Sequence, residues 1–267
     1  MRPLLPLFTR PLVVVTSVSA VACSGAADEA SSSSSEAVTV HDARGVDRAS
    51  AFDTAEAVRL KDDHGVRWTG VYIGGPCSGG SGWDRASVEA IYKATKWSFL
   101  PTYVGQESSS ICWSHDLTHA RGQTDGHHAA SIMPSFGWEA KRDIPVVLDV
   151  EQATFEDDRN GTIEYVRGWI ETVRADGYRP YVYSNPDAIN AFADEKLAID
   201  AVWVASYFYS GFESVTPYDL DQIGHHFSNH DRAWQHAGNV YVSGVGAVDC
   251  DVSDLLLAPA PGGTNVP

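Results

Sequence analysis

The chain has 267 residues, and 35 acidic residues against 19 basic ones give a formal net charge of -16 at pH 7. The acids are spread along the chain instead of forming one tail. A surface of this sign repels nucleic acid and anionic membranes and argues against polyphosphate ligands, so we expect no nucleic-acid partner.

The first 22 residues predict an export signal. Arg2 and Arg10 supply a positive start, and the apolar stretch from Leu12 to Ala22 is too short to span a bilayer. Small residues before Cys23 resemble the bacterial lipobox, which predicts a lipid on this cysteine as the only membrane contact. The alternative is an ordinary secretory signal with an incidental cysteine. In both cases the chain leaves the cytoplasm.

The rest of the chain divides by composition. Residues 23–45 are small and polar, with serine throughout residues 31–35, and predict a disordered tether. Residues 46–257 have the size of one α/β barrel, and residues 258–267 predict a flexible tail.

Short apolar strands alternate with longer helical stretches in the barrel segment. The predicted strands span residues 51–53, 68–74, 97–104, 144–151, 179–185, 201–207, 232–236 and 247–251. The predicted helices span residues 54–64, 83–96, 122–136, 162–176 and 187–197. Strand and helix in alternation, toward eight strands, predict a parallel sheet closed into a (β/α)8 TIM barrel.

The fourth predicted strand ends in two acids. An apolar run that follows Pro145 closes on Asp149 and Glu151, and side chains two apart on a strand share one face. Burying a carboxylate costs several kcal/mol unless it is paired or hydrogen-bonded, so two like charges here indicate a site. The alternative is a strand end held by arginines or by backbone amides.

Polar and aromatic residues also close other predicted strands. In a barrel these strand ends converge on one rim, where catalytic groups lie, whereas a doubly wound sheet gathers ligands at one switch point. Acids on the first, fourth and last strands favour the closed ring. The set comprises Asp53, Tyr103, Asp149, Glu151, Tyr183, Asn185, Tyr207, Gln235, Asp249 and Asp251.

Several blocks of the chain resemble a known family, the glycoside-hydrolase-like domain numbered 1906 among domains of unknown function. This family is similar to glycoside hydrolase family 25, the lysozymes of bacteria and phages. The resemblance runs from about residue 51 to residue 255, and Ala51 stands where the relatives usually have glycine. The blocks are residues 52–54, 70–75 and 97–105, Gly122 with residues 125–126 and 129–130, and residues 177–178 with 182–184.

The resemblance implies roles for four acids. The Asp-x-Glu of family 25 falls on Asp149 and Glu151, and its aspartates of the first and last strands fall on Asp53 and Asp249. Glu151 would then be the general acid/base, while Asp149 would orient an N-acetyl group or stabilise an oxocarbenium-like transition state.

The substrate-binding residues are predicted from their side chains. Sugar rings stack on aromatic faces, so Tyr103, Tyr183, Trp203 and Tyr207 are candidate subsites, together with Trp234. Gln235 and Asp251 are added as polar contacts from the rim.

The cysteines and histidines give three further expectations. Cys77 and Cys112 follow neighbouring strands, which in an exported protein predicts a disulfide, and Cys250 is expected to be a buried free thiol. His115 and His119 have the spacing of helical metal ligands, but their surroundings are loop-like, so we expect no metal.

Taken together, these patterns predict an exported, monomeric cell-envelope protein that cleaves peptidoglycan or a related β-linked amino-sugar polymer without a cofactor. One alternative is a barrel that binds envelope glycan without turnover. Another is a metal-dependent deacetylase or hydrolase.

Overall fold

The computed structural model describes residues 38–39, 41–108, 112, 115–140, 143–223, 226–228 and 231–261. The predicted signal, Cys23 and the serine tract lie outside the described residues. Within the described part, no helix is both long and apolar enough to cross a membrane.

Eight strands close into a barrel, which confirms the predicted fold class. They are β1 (Ala43–Asp47), β2 (Trp68–Gly74), β3 (Ser98–Val104), β4 (Pro145–Asp149), β5 (Arg179–Ser184), β6 (Ala201–Ala205), β7 (Arg232–Val242) and β8 (Gly246–Ser253). The helices are α1 (Thr54–His64), α2 (Arg85–Thr95), α3 (His119–Ile132), α4 (Gln152–Asp157), α5 (Arg159–Ala175) and α6 (Pro186–Asp194). Short 3-10 helices span Met133–Phe136 and Pro217–Asp219.

The last strand departs from a fully parallel barrel. Strands β1 to β7 pair in parallel, but β8 is antiparallel to both β7 and β1. Strand β7 returns into β8 through a turn at residues 243–245, and so short a connection permits only an antiparallel pair. Because β8 runs back into the barrel, Asp251 lies deeper than Asp249.

The prediction for the first strand is wrong. Strand β1 lies at Ala43–Asp47, where it overlaps the last three residues of the predicted tether of residues 23–45, and residues 51–53 form no strand. The apolar signal of β1 is weak because Gly45 takes its central inward position. A Cβ atom there would lie 2.1 Å from Cε2 of Trp68, so only glycine leaves room for that indole.

The barrel strands are buried on both faces. One cluster, which includes Trp68, Leu100 and Trp203, fills the barrel, while a larger one packs the strands against the helices. Neighbouring residues of one strand therefore belong to different clusters, as Leu100 and Phe99 do. Parallel barrel strands are covered on both sides, which makes their sequences apolar throughout.

Part of the predicted flexible tail is packed. Ala258 and Phe99 exchange backbone hydrogen bonds of 2.8 and 3.0 Å, and the indole of Trp138 donates to the carbonyl oxygen of Pro259. Residues 256–257 also pair with residues 38–39 in a two-stranded ladder. The prediction is therefore wrong for residues 258–261, which are buried against the barrel strands and helices.

Candidate active site

Strand β4 delivers the two predicted acids to the rim. Asp149 is its last residue and is buried, with 6% of its surface exposed. Glu151 follows at the N-cap position of α4 but makes no side-chain capping bond, so its carboxylate is available for other contacts. Glu151 is only partly buried and lies in the wall of an open cavity.

The acid of the first strand is Asp47, not Asp53. Asp53 is exposed and caps α1, where Oδ1 accepts a 2.8 Å hydrogen bond from the backbone of Glu56. Asp47 ends β1, is 1% exposed and pairs in register with Asp249 of β8. The prediction for Asp53 is thus wrong because a local helix cap accounts for it, and Asp47 occupies the position expected of it.

Gln235 connects Asp47 to two tyrosines. Its Nε2 donates to Oδ2 of Asp47 at 2.6 Å, and its Oε1 accepts from the hydroxyls of Tyr183 at 2.8 Å and Tyr207 at 2.7 Å. Tyr72 donates to the other oxygen of Asp47 at 2.7 Å. Gln235 is 2% exposed and fully engaged, so it positions its neighbours, which differs from the predicted substrate contact.

Two other predicted binding residues lie inside the barrel. The indole of Trp203 donates to Oδ1 of Asp251 at 2.8 Å, and both residues are 1% exposed. Trp203 also meets Tyr183 edge-on, with ring centroids 5.0 Å apart. Neither Trp203 nor Asp251 can face a sugar, because the barrel interior encloses them.

Two further aromatic candidates face away from the rim. Tyr103 is fully buried between β3 and α3, where its hydroxyl lies 2.9 Å from Nδ1 of His128. Trp234 is 1% exposed and packs against Phe208 and Tyr209. The predictions for Tyr103 and Trp234 are therefore wrong, since both side chains point to the outer layer.

Glu107 lies near Asp149 and Glu151, although the sequence did not predict it as a site residue. It follows β3, is 1% exposed, and its Oε2 accepts a 2.6 Å hydrogen bond from Thr154 of α4. Its Oε1 has no partner among the described residues. Its position three residues after a strand end was the signal available in the sequence. The polar run Gly105-Gln106-Glu107 is equally typical of an ordinary loop, so this signal is weak.

Burial raises the pKa of every acid in this group. It raises the pKa of Asp47 to about 7, with the charge of Asp249 adding to the effect, and that of Glu107 to about 8. Burial and the nearby Glu151 raise the pKa of Asp149 well above its usual range. The pKa of Glu151 is raised by burial and by Asp249, and that of Asp249 by burial.

No cation compensates these carboxylates in the described residues. The ion pairs found there involve other acids, so the alternative of a strand end held by arginines is wrong. Uncompensated acids at one place share protons instead of all ionising, which leaves proton donors near neutral pH.

The cavity beside Glu151 has a volume of about 530 Å³. One wall is formed by Tyr183 of β5 and by Tyr207, which follows the end of β6. Of the Tyr207 surface, 56% is exposed. The remaining wall is formed by Gln152, Asn185, Pro186, Asp187, Ala205, Ser206 and Gln222. The cavity is thus polar, flanked by aromatic rings, and open to a polymer chain.

The disulfide, His115 and His119 lie outside this cavity. Cys77 and Cys112 are joined, with Cα atoms 5.8 Å apart, and Cys250 is a buried free cysteine. His119 begins α3 and contacts Glu171, whereas His115 precedes the helix and contacts the backbone of Glu107. Across the described residues, no three His, Cys, Asp or Glu side chains are grouped to hold a metal ion.

A family model described as "Rv2525c-like, glycoside hydrolase-like domain" matches residues 58–255. No curated protein matches the chain.

Solved structures share the fold at low sequence identity. An uncharacterized protein of B. stearothermophilus has 17% identity and a TM-score of 0.55, over 79% of this chain and 96% of that one. The Tat-secreted protein Rv2525c of Mycobacterium tuberculosis has 14% identity and a TM-score of 0.54, over 79% and 94%. GHIP, a glycosyl hydrolase 25 of Streptococcus pneumoniae, has 14% identity and a TM-score of 0.53, over 79% and 87%.

Proposed function

Because the chain belongs to the family of Rv2525c-like, glycoside hydrolase-like domains, we propose that it hydrolyses a β-linked amino-sugar polymer of the cell envelope. Peptidoglycan is the first substrate to test. The family assignment confirms the resemblance found in the sequence. That resemblance implies the chemistry of the family 25 lysozymes. One neighbour in fold is a glycosyl hydrolase 25, and another is the spore cortex lytic enzyme SleM of Clostridium perfringens.

One observation carries this proposal. Glu151 lines an open cavity and has buried acids, not cations, behind it. A carboxylic acid whose pKa is raised by burial and that borders a sugar-sized cavity is what glycosidic bond cleavage requires. A purely structural acid at a strand end would have been paired with a cation or capped a helix, as Asp53 does.

Glu151 acts as the general acid/base in this mechanism. It donates its proton to the glycosidic oxygen as the bond from that oxygen to the anomeric carbon breaks, and then takes a proton from the water that adds to this carbon. Asp149 and Glu151 share a proton, so when Glu151 carries it Asp149 is ionised and stabilises the positive charge that develops on the sugar ring. The exposed Tyr207 supports the sugar, and Gln235 accepts hydrogen bonds from Tyr207 and from the buried Tyr183.

Export and lipid attachment are part of the same proposal. The N-terminal signal directs the chain out of the cytoplasm, and Cys23 carries the lipid that holds it, as a monomer, at the envelope. The fold neighbour Rv2525c is a Tat-secreted protein, which agrees with an extracytoplasmic role. Mass spectrometry of the mature N-terminal peptide tests the lipid on Cys23, since an unmodified or absent cysteine contradicts it.

A second candidate function is glycan binding without turnover. The observation that favours it is the depth of the supporting acids: Asp47, Asp149 and Asp251 are all at least 94% buried, and none of them lines the cavity. Of the acids at the strand ends, Glu151 is the one that lines this cavity among the described residues.

The Glu151→Gln variant separates the two functions. Purified sacculi are incubated with the wild type and the variant, and new reducing ends and protein bound to the sacculi are both measured. For an enzyme we expect reducing ends to fall about 100-fold or more in the variant while binding persists, because a positioned acid contributes about 10²–10⁴-fold.

The matched control is Glu156→Gln, an exposed glutamate of α4 five residues away. It removes the same charge and should keep wild-type rates. Binding by the wild type without any new reducing ends would favour the non-catalytic barrel. Equal sugar release by Glu151→Gln and the wild type would remove Glu151 from the mechanism.

A further inference from the structure

The charged groups in the cavity wall all have one sign. Glu151 and Asp187 are the ionisable acids of that wall, and no lysine, arginine or histidine is among the described residues that form it. Asp187 lies in the first turn of α6 and is exposed toward solvent. A sugar that enters the cavity therefore meets the ionised Asp187 and the acid Glu151, with no cation beside them among the described wall residues.

Buried acids lie behind the wall, and because they share protons they add only part of their full negative charge. Asp149, two residues before Glu151, keeps Oδ1 without a hydrogen-bond partner among the described residues. Asp249 also interacts electrostatically with Glu151. Low-dielectric surroundings strengthen the interaction of these charges with a ligand in the cavity. A ligand carboxylate or phosphate would be repelled, whereas an ammonium group would be attracted.

The other wall residues can bind a sugar ring whether or not it carries a charge. Tyr207 presents an exposed aromatic ring, and stacking on a ring needs only the apolar face of a sugar, whereas Tyr183 is buried behind it. Gln152, Ser206 and Gln222 supply amide and hydroxyl groups that can bond to sugar hydroxyls and N-acetyl groups. These side chains give affinity for a sugar of any charge, so the acids alone decide between charge classes.

We propose that this cavity selects amine-bearing and neutral amino-sugar units over sugars that carry carboxylate or phosphate groups, and that Asp187 is a specificity-determining residue. The inference rests on the proposed function in assuming that the cavity binds a glycan, but it concerns binding and not bond cleavage. It points to stretches of envelope polymer with free or acetylated amino groups, and away from uronic-acid polymers.

The test compares three soluble tetrasaccharides of equal length by calorimetry in the cold at pH 7 and low salt. They are β-1,4-linked glucosamine, β-1,4-linked N-acetylglucosamine, and an alternating polymer fragment of glucuronic acid and N-acetylglucosamine. We expect the amine-bearing ligand to bind about five-fold or more tightly than the neutral one, and the anionic ligand to bind most weakly.

Two variants distinguish local selection from the general negative charge of the protein. Asp187→Asn should reduce the ratio of amine-bearing to neutral affinity about three-fold or more. Asp194→Asn removes the same charge from the other end of α6, outside the cavity, and should leave the ratio unchanged. Equal effects of both variants would overturn the role of Asp187.

The remaining outcomes separate this inference from the proposed function. Retention of the affinity order without any hydrolysis of sacculi would leave the selectivity standing and remove the enzyme. Hydrolysis of sacculi together with equal or tighter binding of the anionic ligand would overturn the selectivity alone. Failure of all three ligands to bind would overturn it as well.

Discussion

At neutral pH, Glu107 keeps a proton in the folded protein that it would have lost in the unfolded chain. Its folded pKa is about 8 against an ordinary value of 4.5, chiefly because of burial. Its contribution to stability is therefore complete below about pH 4.5 and is lost as the pH rises to about 8. We predict that Glu107→Gln flattens this fall, by up to about 1.4 kcal/mol per pH unit, when unfolding free energy is measured from pH 4.5 to pH 8.

The substitution suits this test because an amide oxygen can still accept the hydrogen bond from Thr154. The exposed Glu156→Gln serves as control and should keep the wild-type slope. Parallel pH profiles for the wild type and Glu107→Gln would show that Glu107 is ionised in the folded protein. Asp47 is subject to the same physical effect, but its hydrogen bonds to Tyr72 and Gln235 make its substitution harder to interpret.

Strand β1 depends on one glycine. The Trp68 ring occupies the space of a side chain at residue 45, and this indole is fully buried and hydrogen-bonded to the Ala43 carbonyl oxygen. We predict that Gly45→Ala lowers the unfolding free energy by about 3 kcal/mol, because the ring must leave a well-packed position. Denaturant titration of the purified domain measures the change.

Gly211→Ala is the matched control for strand β1. The nearest atom to a Cβ at residue 211 is 3.9 Å away, so the methyl group meets no obstacle. Its effect should stay within about 0.5 kcal/mol of zero. A loss for Gly45→Ala no greater than that of the control would mean that the barrel rearranges around Trp68 without cost.

One covalent link joins neighbouring loops at the rim across 35 residues of chain, from Cys77 after β2 to Cys112 after β3. Closing a loop of this length restricts the unfolded chain and should contribute roughly 4 kcal/mol. We predict that the double variant Cys77→Ser/Cys112→Ser has a free energy of unfolding lower by roughly 4 kcal/mol, measured by denaturant titration. The segment after β3 also carries Glu107, so the link restrains the chain on which that acid lies.

Reductant provides an internal control for the whole molecule. It should lower the stability of the wild type to that of the double variant and leave the double variant unchanged. Cys250 is buried and present in both proteins, so it does not distinguish them. A further loss of stability of the double variant in reductant would point to a different thiol chemistry.

The sequence determined the elements whose signals are local. Apolar runs bounded by turn residues placed seven of the eight strands, and α1 was predicted with the bounds that the structure gives. Asp149 and Glu151 were predicted because an apolar strand rarely ends in two acids, and this signal lies entirely within the eight residues 144–151. No distant contact was needed for these inferences.

Only the tertiary structure decided which side chains share the site. Strands buried on both faces are apolar throughout, so their sequences do not tell the inward Trp203 from the outward Tyr103. Asp53 and Asp47 each precede α1, and packing alone makes the first a helix cap and the second a rim acid. Glu107 reaches the same rim through a contact with Thr154, 47 residues later, because the closure of the barrel brings distant strand ends together.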